Sequence, residues 1–311
     1  MSVLSAKHFH DERAAYRFVE AHVWPDGPVC PHCGCFGRIY ELKGKSTRMG
    51  VRKCGDCRKP FTVKVGTIFE GSNLKLHLWL QAIFLMCSSK KGISANQLHR
   101  TLGVTLKTAW FVGHRIREAM RDGELAPFGV GGTDVEADET FLLKDPDTPP
   151  MKRQRHPTWS EKMKVLTLVD RASGRARSFV VDTLGKEEIA PILTANIARE
   201  ARLLTDDARR FIGHGRMFAA HATVNHSAKE YVSRADPTVH TNTIEGYFSV
   251  FKRGVYQHCS KRHLHRYMAE YDFRYSNRVA LGVNDLERTS RALSGVVGKR
   301  LKYRDSLAAA V

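Results

Sequence analysis

The sequence predicts a multidomain α+β protein: a small cysteine-held ribbon, then a helical segment, then a mixed α/β domain. Three observations carry this. Four of the seven cysteines in the 311-residue chain fall in two C-x-x-C pairs, Cys30/Cys33 and Cys54/Cys57. Helical apolar patterning and cap signals run from about residue 74 to residue 122. From Val135 onward short runs rich in Val, Leu and Phe take over, with turn residues between them.

Composition sets limits on what the chain does. Hydrophobic residues make up 42% and charged residues 26%, enough for a sizeable core and against global disorder. Fifty Lys+Arg against 32 Asp+Glu leave a formal net charge of +18. Such an excess points to a polyanionic partner, nucleic acid first. No run of 18 apolar residues exists, so no ordinary transmembrane helix and no membrane partner are expected. Met1 to Ser5 lack the charged-then-apolar order of a secretory leader. An odd cysteine count with tight pairs favours metal in a reducing, cytoplasmic setting over a disulfide framework.

The first part spans residues 1–69. Cys30-Pro31-His32-Cys33 and Cys54-Gly55-Asp56-Cys57 stand 20 residues apart. That spacing suits two knuckles, each giving two thiolates to one tetrahedral Zn²⁺. Gly34 and Gly55 allow the tight turns. Cys35 and His32 are further donors that two complete pairs make unnecessary. Strands over Arg38–Leu42, Met49–Lys53 and Phe61–Val65 complete a zinc ribbon, whose metal supplies folding energy. A ribbon this basic contacts nucleic acid or protein.

The helical part spans residues 70–128. Leu74 to Cys87 is one apolar segment; Ser94 starts a helix that stops near Gly103, and Thr105 caps the next. Helix, glycine turn, helix is the helix-turn-helix pattern. Trp110, Val112 and Ile116 are expected to face inward, with Lys107, His114, Arg115, Arg117 and Arg121 elsewhere. Lys107, Arg115 and Arg117 are the candidate nucleic-acid contacts; a solvated basic face on a packing helix is the plain alternative.

Residues 129–285 follow a Gly131-Gly132-Thr133 linker. Strands are expected over Val135–Leu143, Lys164–Val169 and Arg177–Val181, a helix over Glu187–Ile197, and a short strand over Arg202–Thr205. Residues 145–160, with four prolines, read as an insertion loop. This β-β-β-α-β order is that of a ribonuclease-H-like domain. A carboxylate on its first strand, which carries Glu136, Asp138 and Glu139, and one ending its fourth, at Asp206-Asp207, would meet at one sheet edge. A later helix supplies a third. Ile244, Phe248, Phe251 and Val255 form its core face, while Asn242, Glu245, Ser249 and Lys252 make a polar stripe. Tyr247, Tyr267 and Tyr271 read as core. Two Mg²⁺ ions held by oxygen ligands can activate a water or 3′-hydroxyl and stabilise a leaving oxygen. Three carboxylates on a basic chain therefore suggest phosphodiester chemistry. Residues 286–311 read as a basic C-terminal tail, a short helix or a frayed end, without assigned function.

Taken together the phrases are more specific. Val135-Glu136-Ala137-Asp138-Glu139-Thr140, Thr205-Asp206 and His240-Thr241-Asn242-Thr243-Ile244-Glu245-Gly246 with Lys252-Arg253 resemble the DDE transposases of bacterial insertion sequences, the insertion sequence 1595 family above all. Phe61 to Phe69, Trp110 with His114 to Met120, and Ser260-Lys261-Arg262-His263-Leu264 running to Arg278 agree, so the resemblance spans about Trp24 to Asn277. It implies that Asp138, Asp206 and Glu245 hold Mg²⁺ or Mn²⁺, with Lys252 and Arg253 near a phosphate. Asn242 is the alternative third residue; Asp207, and Glu139 or Glu136, are reserves for the first two. It further implies binding of double-stranded DNA at terminal inverted repeats, strand cleavage there, and joining to target DNA. A homo-oligomer would act on paired ends, in a bacterial cytoplasm at the nucleoid. Two departures stand out: Phe141-Leu142-Leu143-Lys144 replaces a Gly-Gly turn, and Phe248 stands where Trp is frequent. The alternatives are a catalytically inactive DNA-binding regulator, a metal-dependent nuclease or resolvase of the same fold, and a zinc-ribbon protein for RNA or protein.

Overall fold

The computed structural model describes residues 3–123, 126–144, 161–225, 230–255 and 261–302. The chain forms two compact units. One comprises Met1–Arg121 with Val283–Val311, the other Asp122–Gly282. The expected ribbon, helical part and tail thus belong to one unit, and the second is inserted into it.

The first unit opens with two 3₁₀ turns and α1 (Glu12–Val23), whose N-cap Asp11 accepts from Ala14 N at 2.7 Å. The ribbon strands are β1 (Ile39–Glu41), β2 (Arg52–Cys54) and β3 (Pro60–Phe61), antiparallel in that order. Val63 and Val65, expected in the third strand, lie in the turn after it. α2 (Leu76–Ser88) begins under the Glu12 carboxylate, which accepts from Leu76 N at 2.9 Å and His77 N at 3.2 Å. That satisfies two of the donors a helix start leaves open. α3 (Ala95–Leu102) and α4 (Leu106–Met120) follow. Ser94 accepts from Gln97 N and Thr105 from Thr108 N, as expected of N-caps. Gly103 ends α3 in the left-handed region, φ 66°, where a Cβ would strain the backbone.

Of the two forms open to the C-terminal stretch, a helix is found over part of it: α9 (Asp285–Ser294), packed on α2. Its buried Arg288 donates to Cys87 O at 2.8 Å, capping the last turn of α2. The expectation for α4 is corrected. Packed by α2, α3 and α9, it buries His114, Arg115 and Arg117 along with Val112 and Ile116. The Arg115 guanidinium lies 5.7 Å from the Trp79 ring and 5.3 Å from that of Phe111, and donates to Glu70 O. Burial, reinforced by Arg300, lowers it to about 10. Neither Arg115 nor Arg117 lies on a solvent-facing stripe; Lys107, at the start of α4, is exposed.

In the second unit β4 (Asp134–Lys144), β5 (Lys162–Asp170) and β6 (Arg175–Val181) form an antiparallel meander. Then come α5 (Lys186–Asn196), β7 (Arg202–Asp206), α6 (Arg209–Gly215) and β8 (Ala220–Val224). The sheet order is β6-β5-β4-β7-β8, with β7 parallel to β4 and β8 parallel to β7. The expected β-β-β-α-β order is found, extended by α6 and β8. Side chains alternate between the faces. Val135, Ala137, Leu166, Leu168 and Leu203 pack toward Ile189 and Leu193 of α5. Leu142, Val165, Val169 and Ala176 pack toward α7 (Asn242–Val255) and α8 (Lys261–Ser276). The α7 core face is the expected one, Ile244, Phe248, Phe251 and Val255, joined by Tyr247; Tyr271 is buried and Tyr267 packs partly against the same cluster. The proline-bearing stretch 145–160 lies outside the described residues.

A polar row crosses the sheet beneath these helices. Thr167 Oγ1 and Ser178 Oγ are 2.9 Å apart, and Ser178 donates to Asp272 on α8 from Oγ at 2.7 Å and from N at 2.8 Å. Tyr247 OH adds a third bond at 2.6 Å. Burial pushes the Asp272 carboxyl from its ordinary 3.8 up to about 6, against the bonds that hold it down. A raised carboxyl stabilises the fold fully below its unfolded value, and that contribution is lost as pH rises through the folded one. The native chain should therefore lose on the order of 2 kcal/mol between pH 4 and 6.5 that Asp272→Asn does not lose. Urea unfolding of both proteins at the two pH values checks this; parallel changes refute it.

Candidate active site and metal centre

The four ribbon cysteines converge. Their Sγ atoms all lie within 4.8 Å of one another, with Cys30–Cys57 and Cys33–Cys54 each at 3.6 Å. Tetrahedral zinc with bonds of about 2.3 Å sets its sulfurs about 3.8 Å apart, so this all-sulfur set fits Zn²⁺. Gly34, at φ 76°, turns the first knuckle. Backbone N–H groups of Cys57 and then Asp56 draw the Cys54 thiol down to about 6, while, against the Cys35 N–H, burial and the neighbouring thiols push that of Cys33 up to about 12. The hydrophobic cluster around the centre holds just three buried residues, Cys30, Cys54 and Phe61. A core that small needs a staple. Trp24 meets Phe61 edge-on at 5.9 Å, and Arg52 bridges from Glu20, at 3.0 Å, to the Trp24 face.

The second cluster is acidic. Parallel pairing sets Glu136 opposite Leu204, which carries Asp138 and Asp206, each two residues on, to one face of neighbouring strands. Asp138, Glu139 and Asp206 each offer an oxygen within 4.8 Å of the others. Asp138 Oδ1 accepts from Glu139 N at 2.7 Å, and Asp206 Oδ1 accepts from Ala208 N at 3.1 Å. Burial, then the charges of Glu139, Asp206 and Glu245, raise the Asp138 carboxyl well above its ordinary value. Glu245, in the first turn of α7, is exposed and outside the trio of close oxygens, though its charge adds to those that raise Asp138. These are hard, acceptor-only oxygens set together against their own repulsion, a donor set that suits Mg²⁺ or Mn²⁺.

The other expected residues fall around this cluster. Asn242 starts α7 and is exposed. Lys252 is half-buried with Nζ 5.9 Å from the Phe248 ring, and Arg253 is exposed and bonded back to Ser249. Asp207 is half-buried beside Asp206 but outside the trio of close oxygens.

Glu136, held in reserve for Asp138, has another role. It is fully buried, accepts from Arg171 Nε at 2.6 Å and from Ile244 N, inside the first turn of α7, at 2.8 Å. Arg171 also reaches Asp134 at 3.2 Å, Thr238 O at 2.6 Å and His240 O at 2.7 Å. Arg202 grips both Asp134 oxygens at 2.7 Å and reaches Asp236 at 3.1 Å. Two arginines thus fasten the segment before α7 to the sheet. In the sequence Arg171 falls between the expected strands Lys164–Val169 and Arg177–Val181, and Arg202 only opens an expected strand, so neither position by itself signals this role. The available signal was Glu136 itself: a carboxylate two residues from Asp138 on a core-facing position needs a cation.

Residues 130–276 match the family model described as the ISXO2-like transposase domain, and residues 10–60 that of the transposase zinc-ribbon domain. The two together span well over half of the chain, and they define a zinc-ribbon transposase. Within that class the chain belongs to the insertion sequence 1595 family, to which both models refer. It is 26% identical over 287 residues to an uncharacterized protein in transposable element ISH50 of Halobacterium salinarum, covering 88% of this chain and 93% of that one. Among solved structures, a pre-cleavage Mos1 transpososome is similar at 11% identity over 65% of this chain and 77% of that chain, with a TM-score of 0.23. The Mos1 strand transfer complex is similar at 12% over 65% and 76%, also at 0.23. Overlays that loose carry no argument about this chain. No described helix is long and apolar enough to cross a membrane.

The thiolate geometry makes a direct prediction. The purified chain should carry about one zinc by elemental analysis, and Cys54→Ser should carry none. The ribbon should then become protease-sensitive between α1 and β3. Full zinc content in the variant would refute the four-cysteine centre.

Proposed function

We propose that this chain is a DNA transposase that binds the terminal inverted repeats of its element, cleaves a strand there and joins the freed 3′-hydroxyl to target DNA. The observation that carries the reading is the convergence of Asp138 and Asp206 on one sheet face, with the charge of Glu245 felt at Asp138. The donor set fits a divalent ion, Mg²⁺ or Mn²⁺, which when bound offsets the carboxylate repulsion and polarises a phosphodiester and its attacking oxygen. Asp138 and Asp206 orient the reacting groups from the sheet, and Glu245 closes the set from α7. Glu245 is favoured over Asn242 because a carboxylate is the stronger ligand for a hard divalent ion. Lys252, two turns along the same stripe, offers an ammonium to a neighbouring phosphate. Arg253 and Lys107 are exposed cations for the DNA backbone. The formal charge of +18 supports strongly salt-dependent binding to double-stranded DNA. A homo-oligomer on paired ends, acting in the cytoplasm at the nucleoid, completes the reading.

The test uses a labelled duplex carrying the element's own end, with Mg²⁺ and then with EDTA. The native chain should nick at the element boundary in a metal-dependent way. Glu245→Gln should lower nicking at least a hundredfold while duplex affinity stays within about twofold; each factor of ten is about 1.4 kcal/mol of barrier. Asn242→Ala should stay within about threefold. Tight binding without cutting by the native chain would replace this reading with that of an inactive DNA-binding regulator, and cutting without joining with that of a nuclease.

A further inference from the structure

We propose that Glu136 is a positioning residue that sets the distance between Asp138 and Glu245, and that Arg171 holds it there; the inference rests on the carboxylate site proposed above. Glu136 sits two residues before Asp138 on the same face of β4. One of its oxygens accepts from Ile244 N at 2.8 Å, the residue next to Glu245. The other accepts from Arg171 Nε at 2.6 Å. His240 Nδ1 lies 3.5 Å from that second oxygen and 2.7 Å from Arg171 Nη2. The path from Asp138 to Glu245 therefore runs through one strand, one carboxylate and one helix turn. Asp138 and Glu245 repel each other, and α7 would relax outward if only apolar contacts located its first turn. The Glu136 bond to a helix-start N–H opposes that motion, with charge on the favourable end of the helix dipole.

A buried ion pair is weak evidence for stability, because an apolar pair of similar volume often serves as well. Its better-attested use is to fix register, and register is what a site built from a strand and a separate helix requires. Glu136 touches no reacting atom in this scheme. Its effect is read in how well the three carboxylates share one cation.

The measurement is Mn²⁺ binding to the full-length, zinc-loaded chain by titration calorimetry, beside element-end binding and nicking. Asp138→Asn defines the signal belonging to the site. Glu136→Leu removes the acceptor and should weaken Mn²⁺ binding at least tenfold and nicking at least a hundredfold, with zinc content and duplex affinity unchanged. Glu136→Gln keeps an oxygen for Ile244 N and should recover most of the Mn²⁺ affinity, which a merely space-filling role would not require. If Glu136→Leu does not fold, Arg171→Lys, which keeps the charge and loses the fork, should weaken Mn²⁺ binding three- to tenfold. Native Mn²⁺ affinity in the folded variant overturns the inference alone. A native chain whose Mn²⁺ binding is indifferent to Asp138→Asn overturns the site and the inference with it.

Discussion

Parallel pairing of β4 with β7 is the constraint on which the rest of the second unit depends. It brings Asp138 and Asp206 to one face although they are far apart in the chain, and it does so against their mutual repulsion. Backbone hydrogen bonds and the apolar layers on both faces oppose that repulsion. The meander β4–β5–β6 holds β4 central, so the strand bearing Asp138 has a neighbour on each side. A central strand moves less than an edge strand, and a metal site tolerates little movement in its first ligands.

The protein treats its two kinds of charge differently. Asp138, Glu139 and Asp206 are gathered where they repel. Arginines are spent inside, as tethers between segments distant in sequence. Arg171 and Arg202 tie the stretch before α7 to the sheet, Arg288 caps α2, and Arg115 lies against Trp79 and Phe111. Planar guanidinium, with five donors and weak hydration, suits that work better than an ammonium. A chain with a large basic excess therefore does not show all of it to a partner.

Much of this was legible in the sequence. Cysteine spacing fixes the ribbon because the metal tolerates few geometries. Thr105 and Ser94 announced their helices because capping is a local event, settled within three residues. The α7 periodicity was clear because one side of that helix packs on the sheet and the other faces outward. What could not be read depends on distant partners. Arg115 and Arg117 look like surface charges until α2, α3 and α9 close around them. α1 buries only Ala15 and Val19 among charged neighbours, too faint a stripe to register. Arg171 gains meaning only once Glu136, Thr238 and His240 come together.

α9 has a consequence for how the chain is made. One stretch of the ribbon-bearing unit is synthesised before the carboxylate-bearing unit and the other after it. Until Asp285–Ser294 leaves the ribosome, α2 lacks the helix that packs on it, and Cys87 O lacks Arg288. A gene shortened by a stop codon just after Gly282 would still encode every strand of the five-stranded sheet. Its product would keep the sheet with its close carboxylates and lose α9 from the other unit.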